Sequence, residues 1–248
     1  MTTELGGFVD ILRGALRDEA NPKRAARDKA QLKSPYVHLG AEGPRIRKLT
    51  QQTLRVFAVN EHDEVLDTVA SLWAQPLYDL KLAAVYALAA RQNTLSVADL
   101  ALCESMIREA GTYGLTDPMA INVVAGISIA ATGEDAIAAG EVLDRWSADH
   151  AYLLRRAALL SQLPLVITPD GDPSRFFRYA DSLLQDPKLL IRKAIGRVLR
   201  EMGRNRPDMV YAWLLARVDR VSGITLREGM KHLDEAQGEA LVAAFWDE

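Results

Sequence analysis

The chain has 248 residues, long enough for one large domain or two modest ones with a buried core. Its apolar fraction of 49%, charged fraction of 25% and formal net charge of -3 are those of an ordinary globular protein in water. A single cysteine, Cys103, excludes an internal disulfide and any multi-thiolate metal site, and His38, His62, His150 and His232 show no metal-ligand spacing.

The N-terminal segment carries Glu4 and Asp10 within its apolar stretch and does not read as a signal peptide. From there the pattern is helical almost throughout. Ala, Leu, Arg and Glu dominate, and apolar residues recur at i, i+3, i+4 and i+7 in "VLDTVASLWA" (65–74), "DLKLAAVYALAARQ" (79–92), "VADLALCESMIREA" (97–110) and "LLRRAALLSQL" (153–163). Breaks are expected at Asn21-Pro22, Gly43-Pro44, Gln75-Pro76, Gly111, Asp117-Pro118, Gly133, Asp186-Pro187, Arg206-Pro207 and Ser222-Gly223. Several place a capping residue directly before a proline, the pattern of a helix with Pro in its first turn. The longest uncharged stretch, Pro118 to Gly133, falls short of the roughly 18 residues a membrane span needs and reads as a buried core helix. A soluble, cytoplasmic protein is expected.

No segment alternates with period two between hairpin turns, so no sheet is expected. About a dozen helices joined by short loops remain, in one domain spanning 1–248. Pairs of antiparallel helices repeating every 35 to 40 residues or so would stack as a HEAT-like solenoid, with a compact bundle as the alternative.

Charge is segregated along the chain. Between Lys188 and Arg206 lie Lys188, Arg192, Lys193, Arg197, Arg200, Arg204 and Arg206 against Glu201 alone, seven cations to one anion. Lys193, Arg197, Arg200 and Arg204 stand at i, i+4, i+7 and i+11, along one stripe of a helix. Like charges at that spacing are mildly destabilising in isolation, which suggests an anionic partner such as phosphate; the alternative is a solvated face. Lys29, Lys33, Arg45, Arg47, Lys48, Arg155, Arg156, Arg227 and Lys231 could line the same surface. With no RNA-binding, zinc-finger or homeodomain motif present, recognition would be of backbone and shape.

The segment "IRKAIGRVLREMGRNRPDMVYAWL", followed by "SGITLREGMKHL", closely resembles the end of the DNA alkylation repair enzymes of the AlkD type, HEAT-like-repeat DNA glycosylases. "LKSPYVHLGAEGPRIRKL" (32–49), "SLWAQPLYDLKLAAVYAL" (71–88) and "WSADHAYLLRRAALLSQLPL" (146–165) resemble further segments of that family in the same order, so the likeness runs over residues 8 to 235. It implies a right-handed helical-repeat solenoid whose concave basic face holds duplex DNA containing alkylated bases. It further implies hydrolysis of the N-glycosidic bond of alkylated purines without a deep base-flipping pocket, by a monomer with no metal or nucleotide cofactor.

By the same resemblance, "TYGLTDPMAINV" places Asp117 as the catalytic carboxylate and Tyr113 where the family often has Trp. The groove arginine falls on Arg156, and Lys33, Arg47, Lys193, Arg197, Arg200, Arg204, Arg227 and Lys231 are candidate DNA contacts. Read locally, Asp117 before Pro118 is equally the pattern of a helix N-cap, Tyr113 of a packed tyrosine and Arg156 of a snorkelling surface residue. Two further positions depart from the resembled pattern: Arg197 stands at a tryptophan, and Gln31 at an early aromatic. Three readings follow: a glycosylase for cationic alkylpurines, a family member that binds damaged or branched DNA without cutting, or a helical-repeat scaffold for another protein. No GxSxG, GxxxxGK[ST], GxGxxG after a strand or HExxH is present.

Overall fold

The structure, a computed structural model, describes residues 2–246 and the side chains of residues 7–246. Met1 and the side chain of Glu4 lie outside the described residues. As expected, the architecture is all-α: among the described residues the sole β feature is an isolated parallel bridge between Val37 and Leu77. No helix among the described residues is long and apolar enough to cross a membrane.

The helices gather into two compact units, residues 1–139 and 140–248. The first holds α1 (Thr2–Asp18), α2 (Pro22–Leu32), α3 (Gly43–Val56), α4 (His62–Trp73), α5 (Tyr78–Ala90), α6 (Leu100–Glu109), α7 (Tyr113–Met119) and, after a π turn at Ala120–Val124, α8 (Ala125–Ala130). Helix α9 (Gly133–Ser147) runs from the first unit into the second. The second holds α10 (Tyr152–Leu160), α11 (Leu163–Val166), α12 (Ser174–Leu183), α13 (Leu189–Gly203), α14 (Pro207–Leu215), α15 (Gly223–Gly229) and α16 (Glu235–Trp246).

Each unit is two layers of helices around an apolar core. In the first, α3, α5 and α7 pack side by side, with α4 against α5 and α6 against α7. In the second, α10, α13 and α15 form the row, backed by α12 and α14. The innermost helix of the first unit, α5, is buried from Asp79 to Leu88, apolar almost all round. Its two buried charges are answered locally. Asp79 accepts the backbone N–H groups of Leu39 (2.8 Å) and Ala41 (3.2 Å). Lys81 donates to the Trp73 carbonyl and lies over the rings of Trp73 and Tyr36.

Most expected boundaries are present. The Asn21 side chain caps α2, accepting from the Arg24 N–H at 3.0 Å with Pro22 in the first turn, and Ser222 caps α15 through Thr225. The loop after α2 closes back on that cap at Gly40, whose φ of 82° suits glycine and where any Cβ would stand 2.3 Å from the Asn21 carbonyl oxygen. Asp117-Pro118 is the exception. The backbone stays helical from Tyr113 through Ala130, and Pro118 lies inside the run.

Candidate functional site

Thr112, not Asp117, starts the helix that carries the proposed carboxylate. Its hydroxyl oxygen accepts the Gly114 N–H at 3.2 Å while its proton goes to the Leu32 carbonyl at 2.9 Å, tying the cap to the end of α2. Asp117 therefore sits mid-helix and half-buried, and the cap reading of this residue is corrected. A proline inside a helix removes one donor, here the N–H that would have served the Gly114 carbonyl. The Tyr78 hydroxyl at the start of α5 donates to that carbonyl instead, at 3.1 Å.

This substitution needs close approach. A Cβ at position 114 would stand 2.7 Å from the Tyr78 hydroxyl oxygen and 2.9 Å from a Leu32 methyl carbon, so only glycine lets the phenol reach the backbone. On its other side the Tyr78 ring stacks on His38, centroids 4.2 Å apart and planes within 10°. Burial pushes the phenol well above its ordinary range, and the nearby charges, Asp117 among them, add to that. Burial likewise holds the His38 imidazole low.

One turn beyond Pro118 the helix widens. The Ala125 N–H reaches back five residues to the Ala120 carbonyl, a π turn of the kind that often marks functional helices. The carbonyls disturbed by proline and π turn are met by side chains: Asn122 Nδ2 donates to Pro118 O at 2.8 Å and Gln92 Nε2 to Val123 O at 2.8 Å. Asn122 in turn accepts from Arg47 of α3 at 3.3 Å, and the Arg47 guanidinium lies over the Tyr86 ring at 4.8 Å. Of the expected first-unit residues, Asp117 and Tyr113 thus share one helix, and Arg47 reaches that helix through Asn122. Tyr113 and Asp117 are each half-buried and engaged by neighbouring groups. Lys33 is exposed and ends α2 in the left-handed conformation at φ 48°.

In the second unit the stripe on α13 is laced with carboxylates. Arg200 pairs with Glu201 (2.9 Å) and with Glu228 of α15 (2.8 Å), and Lys231 closes on the same Glu228 at 2.9 Å. The bond from Lys231 and the charges of Lys231 and Arg200 hold the Glu228 carboxyl below its ordinary range against the opposing effect of desolvation. Arg204 leans on Glu201 (3.4 Å) and on His232 Nε2 (3.1 Å). Lys193 and Arg227 are exposed, and Arg197 is half-buried and engaged. Arg156 is not a snorkelling surface residue: it is 5% exposed, with its guanidinium donating to the Leu190 carbonyl in the first turn of α13.

The four segments of resemblance, in order, lie along this helical frame. A family model for the DNA alkylation repair enzymes matches residues 12–233. The chain belongs to that family. Among solved structures it shares its fold with a predicted DNA alkylation repair enzyme from Enterococcus faecalis, at a TM-score of 0.75 and 18% identity over 88% of this chain and 98% of that one. It is also similar to AlkD2 from Streptococcus mutans, at a TM-score of 0.61 and 15% identity over 86% and 98% of the two chains. No curated protein matches it in sequence. Every candidate residue of this repair-family member, from Lys33 to Lys231, falls inside the matched range. The sequence reading missed Tyr78, Asn122 and Glu228. Asn122 alone left a signal there, as one of the few polar residues in the uncharged stretch.

Proposed function

We propose that this family member is a DNA glycosylase that hydrolyses the N-glycosidic bond of N3- or N7-alkylated purines in duplex DNA. The observation that carries the proposal is the placement of Asp117. Its capping duty is taken over by Thr112, and its helix is pinned by Tyr78 at Gly114 and by Asn122 at Pro118. A half-exposed carboxylate held this way is a preorganised negative charge.

The chemistry asks for little more. An alkylated purine of this class is cationic and departs as a neutral base, so the C1′–N bond can break without a general acid. Positive charge then develops on the deoxyribose. Asp117 stabilises it and orients the water whose oxygen forms the new bond to C1′, the surplus water proton passing to solvent. The Tyr113 ring against the sugar adds stabilisation on the order of 1 kcal/mol. Asp117→Asn keeps the shape and removes the charge.

The exposed cations Lys193 and Arg227, with Arg197, serve as backbone contacts. Arg156, buried against Leu190, acts through α13 rather than on a phosphate.

The test is release of free base from duplexes carrying 7-methylguanine or 3-methyladenine. Wild type should release base and Asp117→Asn should not. A second reading, binding of damaged or branched DNA without cleavage, is favoured by Arg197 and Gln31 at positions where the resembled pattern has aromatics. Intact duplex binding with no release from any alkylated substrate would establish that reading and sink the first.

A further inference from the structure

The pocket beside the π turn has a composition of its own. It is a void of about 160 Å³ lined by Arg47, Gln51, Tyr86, Ala89, Ala90 and Asn122, with no carboxylate in its wall. Arg47 is held in place on two sides, by the Tyr86 face and by the Asn122 carbonyl oxygen. Asn122 and the Tyr86 hydroxyl both draw on the guanidinium, and the rigid fork presents its remaining N–H donors to a ligand. Gln51 adds a neutral amide, while Ala89 and Ala90 keep the floor shallow. That volume is enough for a tetrahedral oxyanion together with residual water.

We propose that this pocket is a subsite for one backbone phosphate of duplex DNA. The proposal rests on DNA being the ligand of this family member, not on the chemistry assigned to Asp117. The same Asn122 that positions Arg47 holds the Pro118 carbonyl, the residue next to Asp117, so a phosphate seated here is in fixed register with that helix. A planar fork backed by an aromatic ring and flanked by carboxamides suits a phosphodiester better than a metal ion or a cationic ligand.

The experiment is anisotropy titration of an undamaged fluorescent duplex across a salt series. Loss of one phosphate contact in Arg47→Ala should lower the slope of log K against log salt by about 0.9. Arg47→Lys should keep the slope and still bind more weakly, because the fork is lost. Gln51→Glu alters a partly exposed side chain, leaves the core untouched and sets a carboxylate in the pocket, so affinity should fall about tenfold. Wild-type affinity and slope in Arg47→Ala and Gln51→Glu would overturn the proposal. So would millimolar inorganic phosphate raising the Tm of wild type but not of Arg47→Ala while the duplex slope stays unchanged, since the site would then take free phosphate. Because the duplex is undamaged, a slope change with no base release elsewhere would retain the subsite and reject only the glycosylase.

Discussion

The Tyr78 hydroxyl donates to the Gly114 carbonyl, the acceptor left without its helical partner by Pro118. A proline inside a helix is ordinarily costly, by about 3 kcal/mol. Here the lost bond is replaced from another helix, so the segment bearing Asp117 is fixed to α5 rather than only to its own turns.

That relationship predicts an effect of one oxygen atom. Tyr78→Phe leaves a half-buried carbonyl without its donor and should cost about 1–2 kcal/mol, since an unmade bond costs more than a made one contributes. For a chain of this size, each kcal/mol lowers Tm by about 2–4 °C. Gly114→Ala should be at least as damaging, because its Cβ would press on both the Tyr78 oxygen and Leu32. Thermal melts of the two variants check this, and an unchanged Tm for Tyr78→Phe would refute it.

The division of labour between Thr112 and Asp117 is separable in the same way. Thr112→Ala removes the cap and the bond to Leu32, and should destabilise by about 1–2 kcal/mol. Asp117→Asn should leave the melting temperature within about a degree or two of wild type while abolishing base release. A large stability loss in Asp117→Asn would return the residue to a structural role.

The charges on α13 make a less obvious prediction. Glu228 holds both Arg200 and Lys231, so Glu228→Gln frees Lys231 toward solvent and leaves Arg200 paired with Glu201 alone. Duplex affinity should rise and its salt dependence steepen in this variant, whereas Lys193→Ala and Arg227→Ala should weaken binding and flatten it. Filter binding at two salt concentrations is sufficient. Weaker binding in Glu228→Gln would mean the carboxylate positions Arg200 and Lys231 for DNA instead of competing for them.

A pH dependence is also built into the first unit. His62 contacts the Asp99 carboxylate at 2.8 Å and Asp63 at 3.2 Å, and Asp99 also accepts from Ser96. The bond to Asp99 chiefly, and that to Asp63, raise the imidazole above its ordinary value near 6.5. A raised folded-state pKa means the bridge contributes fully below that ordinary value and is lost as pH climbs through the folded value. Tm should therefore decline as pH rises from about 6.5, and His62→Gln should flatten that part of the profile. An identical pH profile in the variant would exclude the His62 bridge as its source.

Much of this was legible in local sequence, and what was not shares a cause. Asn21-Pro22, Ser222-Gly223 and the periodic apolar runs are local signals, and the helices follow them. Asp117-Pro118 has the same local signature and misleads, because the donor that tolerates Pro118 comes from Tyr78, 36 residues from Gly114. Lys193 to Arg204 reads as an open cationic stripe until Glu228 arrives from α15. Arg156 looks amphipathic in "LLRRAALL", yet its packing against α13 buries it. Pairings made across helices leave no periodicity in either partner.

The π turn at Ala120–Val124 has a consequence for what this helix can tolerate. Each residue advances a helix by about 100°, so the turn acts as a phase shifter between Asp117 and everything after it. Deleting one residue there would let the segment relax into a regular helix, with no loss of helical content. Because the wide turn absorbs one extra residue, the shortened helix would keep its downstream face in phase, with Val123 still toward Gln92 and Asn122 toward Arg47, whereas a further inserted residue would rotate that face by about 100°. This helix should therefore tolerate loss of a residue within the π turn far better than gain of one.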